Sequence, residues 1–227
     1  LALCALVGWF SAPTAATVWR WARPSRWPRA AIMTAAVVVA TYAVLAVLVR
    51  ALGGGLRLEV PPIRGLLLWI VAGQCVLAFA EERYYRGLIL VEIRRLAPRL
   101  GVRPRIARRW LALLASAGLF GMEHLAIHAR QPEMLRQMLF AVSLGVLFGM
   151  LALVTENLHF VAGVHAWINV LLLGAAPRFV DDAGRPAPGA GTYVGLALIL
   201  AFCLAAASAA IERRRRARER PTSTDVA

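Results

Sequence analysis

Apolar runs at about residues 1–19, 30–49, 66–91, 110–128, 137–154, 158–174 and 191–211 dominate this sequence. Crossing the hydrocarbon core of a bilayer as a helix takes roughly 20 predominantly apolar residues. Inside lipid every backbone polar group has to be satisfied within the chain, which leaves helices as the way for such runs to span. The pattern therefore predicts an all-α, polytopic transmembrane helical bundle of about seven spans. No Gly/Ser/Pro-rich linker sets off a soluble module, so a single membrane domain is expected. The tail "RPTSTDVA" is read as disordered.

A formal net charge of +14 would suggest nucleic acid in a soluble chain, but the placement of the charge points elsewhere. All 26 basic residues are Arg. Seventeen of them fall in three segments, "RWARPSRWPR" at 20–29, residues 94–109 and "ERRRRARER" near the end. The loops between carry seven: Arg50, Arg57, Arg64, Arg130, Arg136, Arg178 and Arg185. The two sets alternate along the chain, as short loops do on opposite faces of a membrane, and the basic set marks the cytoplasmic side. This predicts an N-terminus outside and a C-terminus in the cytoplasm, with basic loops resting on anionic lipid rather than nucleic acid. Trp19, Trp21, Trp27 and Trp110 at one set of helix ends, with Trp69 and Tyr193 at the other, read as interfacial belts. The all-Arg, Ala-rich composition points to the plasma membrane of a high-GC bacterium. The first run has no basic segment ahead of it, and a start at Leu leaves room for a preceding segment. Cys4, Cys75 and Cys203 sit apart in apolar runs and are expected as small core residues, without disulfides.

The exception to the apolar pattern is "AEERYYRGLIL", residues 80–90, with four charges inside the third run. Ending that span at Ala80 would leave 15 residues, about 22 Å, short of a hydrocarbon core of roughly 30 Å. The span is thus predicted to continue through the charges to Val91. Ionisable groups at that depth cost about 2.5–3.5 kcal/mol each on insertion scales, so they face the bundle interior and tend to carry function. Glu82 and Arg86 share a face at i, i+4, which predicts an ion pair. Glu81 has no cationic partner on its own helix, the situation of a carboxylate available as a general base. Arg83 is free to reach toward headgroups.

The four histidines fall in two later spans. In "SAGLFGMEHLAIHAR", Phe120 and His124 share a face; in "ENLHFVAGVHAWINV", His165 and Asn169 do. His128 and His159 are expected near opposite membrane faces, and Glu123 is assigned no role. A lone intramembrane His or Asn also serves as a hydrogen bond between helices. Gly145 and Gly149 are expected to allow close helix packing in the fifth span. Rise along the helices puts Glu81 about 15 Å and His165 about 11 Å from the cytoplasmic ends of their spans, and His124 about 21 Å past Trp110, deeper than the other two.

Glu81, Glu82 and Arg86, then Phe120 and His124, then His165 and Asn169, in that order on three spans, resemble the three signature motifs of the CPBP (CAAX protease and bacteriocin-processing, ABI) group of intramembrane proteases, which are related to the type II CAAX prenyl endopeptidase. The resemblance covers about residues 66–175. It divides the chain into two N-terminal helices (1–65), a catalytic membrane core (66–175), a C-terminal helix (176–211) and a basic tail (212–227). It implies hydrolysis of a peptide bond in a membrane-embedded or membrane-associated substrate. Glu81 would activate a water that His124 helps hold and polarise. His165 and Asn169 would donate to the oxyanion, Glu82 and Arg86 would brace the site, and Phe120 would support it.

No cofactor is required by these residues. Zinc is compatible with Glu and His, with Glu81, His124 and His165 as ligands if it is bound, but no His-Glu-x-x-His run is present. Two other classes stay open from the residues alone: an ion- or proton-coupled transporter, since buried Glu, His and Arg also line ion paths, and a non-catalytic immunity or scaffold protein.

Overall fold

The computed structural model describes residues 12–51, 57–60, 62, 65–127, 133–180 and 190–218. Residues 1–11 with Cys4, His128, and the tail from 219 onward lie outside the described residues. Helix α1 (Ala12–Trp21) is joined by a 3₁₀ turn (Pro24–Arg26) to α2 (Trp27–Ala51). Helix α3 (Gly65–Glu81) runs without a break through a π-helical stretch (Glu82–Ile89) into α4 (Leu90–Leu96). Then follow α5 (Arg105–Ile127), α6 (Met134–Thr155), α7 (Leu158–Leu172) and α8 (Ala190–Arg218). A single antiparallel pair, β1 (Arg57–Glu59) with β2 (Arg178–Val180), ties the segment after α2 to the segment after α7.

The architecture is all-α, as the apolar runs predict. Three described helical stretches, Pro13–Ala51, Met134–Thr155 and Gly191–Ile211, are long and apolar enough to cross a membrane.

Helix α7 is the centre of the bundle and packs against α2, α3, α6, α8 and the π stretch. Phe160, Val161, Val164, Ile168 and Leu171 are all buried along it. Its start is set by Glu156, in the left-handed region at φ 48°, and by Asn157, whose Oδ1 accepts from the Phe160 N–H at 3.4 Å. Its end is set by Gly174 at φ 72°, with Gly174 N–H and Ala175 N–H returning to Leu171 O and Val170 O.

Two glycines are required by close approach. A Cβ on Gly145 would lie 3.0 Å from Ala117 Cα, so α5 and α6 are in contact at the backbone level there. A Cβ on Gly87 would meet Val18 at 3.1 Å and Leu158 at 3.3 Å, where α1 and α7 close on the π stretch. Gly149 serves the same packing against Leu113.

Three expectations are corrected. Trp21 and Tyr193 are buried rather than interfacial: Tyr193 accepts from the Phe179 N–H at 2.7 Å and its ring packs edge-on against Tyr42. Trp19, Trp27, Trp69 and Trp110 are exposed, as belt residues are. Cys75 and Cys203 are exposed on outer helix faces instead of in the core, because a membrane bundle turns apolar side chains toward lipid as readily as inward.

Candidate active site

The charged segment 82–89 is not regular α-helix. Leu90 N–H reaches Tyr85 O, five residues back, and Ser116 Oγ from α5 donates to the same carbonyl at 2.7 Å. The widened turn buries Glu82, Tyr85, Arg86 and Gly87 together on the inner side. Periodicity predicts only the 3.6-residue repeat, so this local change is invisible to it.

Glu82 and Arg86 form the expected ion pair, Oε1 to Nη1 at 3.0 Å, with both side chains sealed from solvent. Arg86 also lies over the Phe120 ring at 4.5 Å and the Phe148 ring at 5.6 Å, and its Nη2 donates to Gly145 O at 3.4 Å. These contacts offset the desolvation of the guanidinium. They also give Phe120 its place in the site as the aromatic floor beneath the cation.

His165, two turns into α7, stands between the two glutamates. Its Nδ1 lies 2.8 Å from Glu82 Oε1 and its Nε2 lies 3.6 Å from Glu81 Oε2. The imidazole is stacked on Phe148, ring centroids 4.7 Å apart, and meets Phe120 edge-on at 6.0 Å. A carboxylate only accepts, so Nδ1 donates to Glu82 and the tautomer is set from that side. Glu81 is partly open, in contrast to Glu82, whose Oε2 is buried without a partner among the described residues.

His124 is held differently. Its Nδ1 lies 2.9 Å from Phe120 O, one turn back on its own helix, and its ring meets Phe120 at 4.5 Å. Phe120 is level with His165, which leaves His124 one turn, about 6 Å, further along α5. Among the described residues no hydrogen bond or ion pair joins His124 to Glu81, Glu82 or His165. Among the described residues no three His, Cys, Asp or Glu side chains form a group placed to hold a metal ion. Both imidazoles are engaged through Nδ1, His124 at its own backbone and His165 at Glu82, which leaves each Nε2 on the opposite side of its ring.

Asn169 Nδ2 donates to Gln74 Oε1 at 3.1 Å. Gln74 is a residue that sequence reasoning missed, although two signals mark it. It is an amide in the apolar run "LLLWIVAGQCVLAFA", and it lies seven residues, two helical turns, ahead of Glu81 on the same face. Glu123, to which the sequence assigns no role, accepts through Oε2 from Tyr85 Oη at 2.6 Å. His159 is fixed by Ala22 O at 3.0 Å and stacks on Phe79, over which Arg83 also lies. A cavity of about 720 Å³ is bordered by Trp27, Cys75, Phe79, His159 and Trp167, and neither glutamate lines it.

All seven motif residues fall in one stretch that can be compared with known families. Residues 63–171, a little under half the chain, match the family model of the type II CAAX prenyl endopeptidase Rce1-like proteins. Over those residues the chain is similar to that family. No curated protein and no solved structure matches it. The Rce1-like family is one of proteases, which implies a peptide substrate and a membrane context. Together with the apolar helices, it makes this an integral membrane protein.

If Asn169 works in this Rce1-like site, Gln74 matters by aiming its amide. Gln74→Leu is expected to lower kcat about tenfold with KM little changed, as loss of an outer-shell partner does. A matching fall in thermal stability, with kcat preserved, would reduce Gln74 to packing.

Proposed function

We propose that this protein is an intramembrane endopeptidase that hydrolyses a peptide bond of a membrane-associated substrate with a glutamate-activated water. The observation that carries this reading is His165 held between two carboxylates, Glu82 at 2.8 Å and Glu81 at 3.6 Å. Glu81, the more open of the two, takes a proton from the water as its oxygen attacks the scissile carbonyl. That proton then passes to the departing amide nitrogen as the C–N bond breaks. The oxyanion is met by Asn169, which has a second N–H beyond the one given to Gln74, and by His165 in its imidazolium form. His124, with Nδ1–H turned to Phe120 O, presents Nε2 as an acceptor for the attacking water. Glu82 and Arg86 hold the imidazole in register. Seven spans, with the N-terminus outside and the basic ends in the cytoplasm, complete the reading.

The test is reconstitution of the full chain in proteoliposomes with a library of single-span and lipidated peptides, followed by mass spectrometry. Discrete new C-termini are expected with the wild-type chain, at the same rate after chelation. Absence of cleavage together with flux of ions across the vesicle wall would replace this reading with a transporter.

A further inference from the structure

Two cavities open at the basic end of the bundle, away from the glutamate and histidine site. The larger, about 670 Å³, is bordered by Arg26, Arg29, Arg109, Glu156, Asn157 and Ser208 above a floor that includes Met33, Val154 and Ala205. The smaller, about 200 Å³, shares Glu156 and adds Arg20, Arg94 and Arg95. Arg95 is ion-paired with Glu92. The remaining five guanidinium groups border these two cavities with Glu156 as the one carboxylate on their walls among the described residues.

Their arrangement is built rather than incidental. Glu156 holds a left-handed backbone at φ 48°, and its carbonyl accepts from Arg26. A non-glycine residue keeps such a conformation only where its surroundings enforce it. Arg29 is held by Ser208 Oγ of α8. Arg109 has no hydrogen-bond or ion-pair partner among the described residues. The cavity also lies at the Asn157-capped N-terminus of α7, where backbone N–H groups add to the positive potential.

We propose that the larger cavity binds the phosphate of an anionic phospholipid. Guanidinium forks match phosphate geometry, and among the described lining residues three of them stand against one carboxylate, which suits a monoanionic headgroup. The floor argues for a lipid source. Met33, Val154 and Ala205 belong to α2, α6 and α8, within the three stretches long and apolar enough to cross the membrane. A guanidinium rim above apolar residues at the ends of spanning helices suits a headgroup with its glycerol and upper acyl carbons, whereas a free phosphate would use the rim alone. The proposal rests on the membrane setting and is independent of the hydrolytic chemistry.

The test uses the full chain purified from mixed micelles of phosphatidylglycerol and phosphatidylcholine, with bound lipid counted by native mass spectrometry. Phosphatidylglycerol is expected to be retained about tenfold over phosphatidylcholine, and Arg29→Gln/Arg109→Gln to abolish the preference. Both side chains are exposed and the substitutions keep their polarity, so peptide cleavage and Tm serve as controls for an intact fold. If millimolar inorganic phosphate alone displaces the lipid and raises Tm as much, and the double variant loses that response, the phosphate site stands and its lipid source is overturned. Equal retention of both lipids by the wild type, or an unchanged preference in the double variant, overturns the site itself.

Discussion

Glu81→Gln is expected to cut the rate of peptide hydrolysis by about 10²- to 10⁴-fold, the contribution of a positioned general base, while leaving thermal stability nearly unchanged. The substitution keeps shape and removes only the ability to take a proton. Little structure depends on that carboxylate, since its contact with His165 Nε2 is 3.6 Å long, beyond a good hydrogen bond. Glu82→Gln differs, because Glu82 Oε1 faces both Arg86 and His165 and the amide can serve neither as an anion. The pair of variants thus separates a residue that reacts from one that braces. Initial rates on a cleaved peptide in proteoliposomes, beside a melting curve in detergent, make the measurement. A Glu81→Gln enzyme within threefold of wild type would end the case for Glu81 as the base.

What the sequence makes legible here is whatever lies within one helix. The Glu82 to Arg86 pair follows from four-residue spacing, and the apolar runs give the helices that the structure contains. Helix-to-helix contacts are another matter. Glu82 with His165, Gln74 with Asn169 and Tyr85 with Glu123 are separated by 83, 95 and 38 positions, and spacing along one helix carries no information on which faces meet. The motif order brings the three helices into consideration through family resemblance, yet it does not say that His165 bonds Glu82 more closely than Glu81. The π-helical stretch escapes for a related reason. Its turn depends on Ser116 and on Gly87 admitting Val18 and Leu158, all supplied by other elements or by their packing. Tyr193 and Trp21 misled the belt assignment because an aromatic near a helix end looks the same in sequence whether it meets headgroups or a neighbouring helix.

Arg86→Met should be the most damaging single substitution to stability, at about 3–5 kcal/mol, because it takes the cation from the buried Glu82 carboxylate and leaves it only the hydrogen bond from His165 Nδ1 among the described residues. Arg86 and Glu82 are 1% and 0% exposed, and Glu82 Oε2 already lacks a partner among the described residues, so no water-facing route relieves the charge. Glu82→Leu strands Arg86 in the same way, over the Phe120 and Phe148 rings. Removing both together replaces a buried ion pair with apolar groups, which is often near neutral in stability. The double variant should therefore recover much of the Tm that either single loses, a strong coupling in a double-mutant cycle. Activity should not return with it, since His165 would have lost the carboxylate that orients its Nδ1. Stability and hydrolysis would then part company in one protein, as the bracing role requires. Additive losses of stability in the double variant would show that the pair is not energetically coupled, and recovered hydrolysis would show that His165 needs no brace.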